Sequence, residues 1–109
     1  MKTIEEFWKQ LLKNVISFSA DKWSELKADA IADSNKFLTQ VKDDVQRWVT
    51  LLVEGKLTSA DLEWLIKGKR DLAKLLLLKE KGLTQPDLDK FFEGLVGTII
   101  TTAFKLVLE

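Results

Sequence analysis

Histidine, cysteine and tyrosine are all missing from this chain, and proline occurs once. Without histidine there is no imidazole to act as general base or metal ligand. Without cysteine, disulfides, thiol nucleophiles and thiolate zinc sites are excluded. That absence does not assign a compartment, because a reduced cytosol also suits a Cys-free chain. Five serines are present, but none stands in a nucleophile-elbow pattern, and no glycine-rich phosphate loop occurs. A carboxylate di-metal bundle would need Glu-x-x-His pairs, which the chain cannot supply. The composition therefore predicts no catalytic residue, no metal site and no cofactor.

An excess of one charge is missing too. Seventeen Lys and Arg balance seventeen Asp and Glu, which argues against a general nucleic-acid or anionic-membrane binder. Long hydrophobic runs are also lacking. The most apolar stretch, Phe91 to Leu108, is interrupted by Glu93 and Lys105, leaving an uncharged run of 11 residues from Gly94 to Phe104. A spanning helix needs about 20. Near the N-terminus Glu5, Glu6 and Lys9 break up any signal-peptide core. These features predict a cytoplasmic protein.

What is present points to helices. With 46% hydrophobic and 31% charged residues, the chain is too apolar for disorder, and 109 residues suit one domain, taken here as 1–109. One Pro and five Gly leave room for long helices. Ile4, Phe7, Trp8, Leu11, Leu12, Val15, Ile16 and Phe18 recur at helical spacing, and Thr3 with Glu6 forms a capping-box pattern before them. Trp23, Leu26, Ala30, Phe37, Val41, Val45, Trp48 and Leu52 form a second stripe, rotated roughly 70° from the first at 100° per residue. One straight helix could not aim both at a single core. The expected break lies at Ser17–Asp21, with Ser19 as N-cap, giving helices at about 4–17 and 20–53. A single helix of about 50 residues, roughly 75 Å long, is the competing reading. Asp33-Ser34-Asn35 favours caps over helix interiors, but the stripe stays in phase across it, so the helix is expected to run on.

The second half carries an internal echo. Leu57-Thr58-Ser59-Ala60-Asp61-Leu62-Glu63 matches Leu83-Thr84-Gln85-Pro86-Asp87-Leu88-Asp89 at an offset of 26, with Gly55 and Gly82 just upstream. Each copy reads as a left-handed glycine C-cap followed by a Thr N-cap with Asp at N3. Helices are expected at about 59–80 and 85–107. The β-branched run Thr98–Thr102 would suit a strand. Leu88, Phe92, Leu95, Ile99, Ala103 and Leu106 nevertheless form one helical stripe, and no second strand exists to pair with it. The expected fold is all-α, an antiparallel bundle of about four helices with a long second helix.

Four features stand out from an ordinary helical surface. Asp21, Glu25, Asp29 and Asp33, spaced by four, are expected to form a solvated edge. Lys67, Arg70, Lys74 and Lys81 fall in one sector of the third helix and suit an anionic partner or plain solvent; Lys69 instead projects from its apolar arc, either snorkelling or pairing with a carboxylate such as Glu93. Trp64 lies at the edge of that arc, while Trp8, Trp23 and Trp48 sit within apolar stripes. Together Trp64, Lys67, Arg70 and Lys74 form a candidate partner contact. Opposite the apolar arc of the last helix lie Gly94, Gly97, Thr98, Thr101 and Thr102, weak helix formers where a solvent face would carry Glu or Lys. Small residues at i, i+4 and i+8 (Gly94, Thr98, Thr102) admit a second helix, either from another chain or as a further covering helix. They are the candidate interface for self-association, a two-fold dimer being the default. The function predicted is thus a non-catalytic helical interaction or assembly module. A peripheral membrane protein using the C-terminal amphipathic helix is the alternative.

Overall fold

A computed structural model describes the backbone of residues 4–108 and the side chains of residues 4–106. Thr3, the expected first N-cap, lies outside the described residues. Among the described residues five helices form the fold: α1 (Ile4–Lys22), α2 (Lys27–Val53), α3 (Ser59–Lys67), α4 (Leu76–Glu80) and α5 (Gln85–Leu108). The described residues contain no strand, and the expected all-α bundle with a long second helix is what is found. At 1.5 Å per residue α2 is about 40 Å long, and it sets the 42 Å long axis of the molecule. The α1 helix packs on α2 and α5, α4 packs on α2, and α3 packs on α5 and α2.

The stripes read from the sequence supply the core, except that Ile16 of the first is 46% exposed. From α1 come Phe7, Leu11 and Val15; from α2 Ala30, Phe37, Leu38, Val41, Val45, Trp48, Val49 and Leu52. The α5 helix gives Leu88, Phe91, Phe92, Leu95, Val96, Ile99, Ala103 and Leu106, so the β-branched run is helical and its stripe is buried. Edge-on ring contacts, Trp23 to Phe91 at 5.5 Å and Phe37 to Phe92 at 5.4 Å, tie α5 to the α1–α2 hairpin.

Two expected boundaries need correction. The first break falls after Lys22, at Trp23 and a 3-10 turn over Ser24–Leu26, not at Ser17–Asp21. Ser19 is a fully buried fourth member of the Phe7, Leu11, Val15 stripe, and its carbonyl accepts from the Trp23 amide at 3.0 Å. Packing of the Trp23 ring on Phe91 therefore places the corner where local capping propensity did not.

The expected helix 59–80 is also broken, between Lys67 and Leu76. The cause is phase. Continued at about 100° per residue, Leu75 and Leu78 would stand about 120° to 180° from Ile66. Leu62, Ile66, Leu75 and Leu78 are nonetheless all buried. A break that re-aims the chain is what allows both pairs to reach one core, and Gly68 weakens the helix at that point.

The caps agree with the internal echo. Gly55 and Gly82 hold φ of 77° and 95°. The Asp61 amide donates to Thr58 Oγ1 at 3.1 Å and the Thr58 amide donates back to Asp61 Oδ2 at 3.0 Å. In the second copy both backbone bonds between Thr84 and Asp87 are longer, at 3.4 Å, and the Thr84 hydroxyl donates to Asp87 Oδ2 at 2.9 Å.

Candidate interaction surfaces

The Gly/Thr face of α5 is divided by α1. A Cβ at Gly94 would lie 2.6 Å from Phe18 Cε1, so the glycine is where the Phe18 ring crosses. Thr102 is buried, accepts from Asn14 Nδ2 at 2.8 Å and donates to the Thr98 carbonyl at 2.7 Å. Thr98 in turn donates to the Gly94 carbonyl at 2.9 Å. The line Gly94–Thr98–Thr102 thus meets a covering helix of its own chain. Gly97 and Thr101 remain exposed, and a Cβ on Gly97 would meet open space. With Ser17, Lys22 and Lys105 they line a shallow groove along the α1–α5 seam.

The cations of the third expected helix do not form one stripe, because the chain breaks among them. Lys67, on α3, bridges Glu63 at 3.1 Å and Glu93 at 3.3 Å. Hydrogen bonds from Lys67 to Glu63 and Glu93 raise its pKa above the ordinary lysine value. Lys69 has left the helix: its ammonium meets Asp44 Oδ2 at 2.9 Å and lies 5.9 Å from the Trp48 ring centroid. That hydrogen bond holds the Asp44 carboxyl below the usual carboxylate range. Glu93, named as a candidate partner of Lys69, is taken by Lys67 instead. Arg70 pairs with Asp89 and stacks over Phe92, while Lys74, Lys79 and Lys81 are exposed and make no ion pair among the described residues.

Trp64 stands 76% exposed beside an open recess lined by Trp48, Leu65, Lys67, Gly68 and Lys69. The other three tryptophans behave as core: Trp48 is buried, and Trp8 and Trp23 pack against the core.

One expectation about the acidic edge is wrong. Asp33 is 3% exposed rather than solvated. Its Oδ2 accepts from the Leu78 amide at 2.9 Å and its Oδ1 from the Leu77 amide at 3.3 Å. Leu75, at the N-cap of α4, offers no side-chain acceptor. Asp33 therefore caps a helix 44 residues away. Of the cap-favouring Asp33-Ser34-Asn35, Asp33 serves as a cap, for α4 and not for α2.

Among the described residues no group of three or more His, Cys, Asp or Glu is placed to hold a metal ion, and no helix is long and apolar enough to cross a membrane. The apolar arc of α5 faces the core. The chain matches no protein-family model, no curated protein and no solved structure.

Proposed function

We propose that this chain, acting as one helical domain over residues 1–109 in the cytoplasm, is a non-catalytic interaction module that self-associates. The observation that carries the reading is Trp64, three-quarters exposed beside a recess floored by Trp48 and Leu65. Large aromatic side chains in exposed positions are the usual anchors of protein contacts. A two-fold axis past α3 puts each copy's Trp64 into the other's recess, because an isologous contact is reciprocal. The neighbouring charges suit a rim: Lys67 and Lys69 are already paired within the chain, so their burial at an edge strands no charge.

The test is native mass by light scattering across a concentration series, with circular dichroism as folding control. Wild type should approach twice the monomer mass. Trp64→Ala should raise the dissociation constant roughly 30-fold, the effect of losing an interface anchor. A wild type of strictly monomeric mass at every concentration overturns the proposal. A Trp64→Ala protein that dimerises as wild type does removes the α3 contact, and Gly97→Arg then tests the exposed remainder of the α5 face.

A further inference from the structure

Beyond self-association, we infer that the α4 end of the molecule docks on an anionic phospholipid surface. Residues 67–81 hold six of the seventeen Lys and Arg but two of the seventeen Asp and Glu, so this segment carries +4 and the remainder −4. Carboxylates from outside the segment pair with three of these cations, Lys67 with Glu63 and Glu93, Lys69 with Asp44 and Arg70 with Asp89, which leaves Lys74, Lys79 and Lys81 as the cations with no ion pair among the described residues. Between α4 and the start of α5 lies a recess of about 230 Å³. Arg70, Lys74 and Lys79 border it, Leu76, Leu88 and Phe92 give it apolar walls, and no carboxylate lines it. Arg70 is engaged by Asp89, whereas Lys74 and Lys79 have no ion-pair partner among the described residues.

The apolar side chains of this segment point to the class of partner. Leu72, Leu76 and Leu77 are 38%, 49% and 38% exposed, three leucines within six residues. Protein interfaces favour aromatic residues, Met and Arg at their centres and are depleted in Lys. Exposed leucines among lysines suit the lipid boundary instead, where aliphatic side chains enter the acyl region and ammonium groups meet phosphates. The short α4 and the 3-10 turn at Arg70–Leu72 present these residues outside the main bundle helices. Lys74 and Lys79 would take a headgroup phosphate at the mouth of the recess while Leu76 enters beside it. This site is separate from the buried arc of α5.

Co-sedimentation with two kinds of vesicle tests the inference. One is phosphatidylcholine and phosphatidylserine in equal parts; the other is phosphatidylcholine alone. Wild type should partition onto the first and not the second, and salt should release it as the screening length shrinks from about 10 Å at 0.1 M to about 3 Å at 1 M. Lys74→Gln/Lys79→Gln should lower the partition coefficient about 25-fold, fivefold for each basic group at an anionic surface. Leu76→Ser should weaken binding without changing the salt dependence. Lys9→Gln/Lys13→Gln on α1 makes the same change in net charge and should leave binding within about fivefold of wild type. Circular dichroism and thermal midpoints check that every variant is folded. Trp64→Ala should bind as wild type, which separates this result from the fate of the dimer. The inference is overturned by no binding to the anionic vesicles, by equal binding to both kinds, or by equal losses in the α1 and α4 variants. Capture by soluble poly-aspartate without vesicle binding also overturns it and makes the partner an acidic protein.

Discussion

Replacing Asp33 by alanine removes both acceptors of the Leu77 and Leu78 amides. The Leu78 bond is short, at 2.9 Å, and buried; the Leu77 bond is 3.3 Å and part-buried, so it counts for less. A hydrogen bond to a charged group contributes about 1.5–3 kcal/mol, and a buried donor left unsatisfied costs about 1–3 kcal/mol. Removing a desolvated carboxylate offsets part of this loss. The loss wins because the buried Leu78 amide is left with no acceptor. We expect Asp33→Ala to destabilise by about 2–3 kcal/mol. Asp33→Asn keeps one acceptor oxygen and should cost about half as much. Urea unfolding at neutral pH gives both values. Hydrogen exchange adds a local readout: the Leu77 and Leu78 amides should speed up more than those of α2 if α4 detaches first. An alanine variant within about 0.5 kcal/mol of wild type, the ordinary range for surface changes, would refute the view that Asp33 holds α4 in place.

Other expectations follow from the same geometry. Thr58→Ala and Thr84→Ala should each cost about 1 kcal/mol, since each removes a hydroxyl bonded to the Asp three residues on; unchanged midpoints in denaturant melts would contradict both caps. Gly97→Ala should stabilise the monomer by about 0.5–1 kcal/mol, since its Cβ meets open space, whereas Gly94→Ala should destabilise by about 1 kcal/mol by driving the Phe18 ring from Phe91. Thermal midpoints of equal sign would show that α1 does not cross at Gly94. Asp44 and Asp61 are both held below the ordinary carboxylate value, Asp44 by the Lys69 hydrogen bond and Asp61 by the Thr58 amide. Their contribution is whole above about pH 4 and is lost as pH falls through the lower folded values. Lys67 has the opposite sign: its contribution is whole below about pH 10 and is lost as pH rises through the raised folded value. Acid unfolding curves for Asp44→Asn and Asp61→Asn should be flatter than wild type, and identical curves would count against both contacts.

Local chemistry was enough to place most of the helices. Stripes at helical spacing marked the core faces of α1, α2 and α5, because burying one face is what makes such a segment helical. Gly55 with Thr58, and Gly82 with Thr84, marked two helix starts, because left-handed glycine and side-chain capping act within a few residues. Exposure of Trp64 was legible as an off-centre position on the apolar arc. What tertiary packing alone decided involves groups distant in sequence. Ser19 could have capped a helix, but the Trp23–Phe91 contact put the corner four residues later. Leu75 and Leu78 could extend the helix from Ile66 or join its core, not both, and the core prevailed. Gly94 reads as the site of a close-packed helix from this chain or another until Phe18 of α1 is seen to lie across it, and Asp33 reads as solvated until its carboxylate is found on the amides of α4. A sequence stripe shows that a face will be covered; which segment covers it depends on how the chain returns through space.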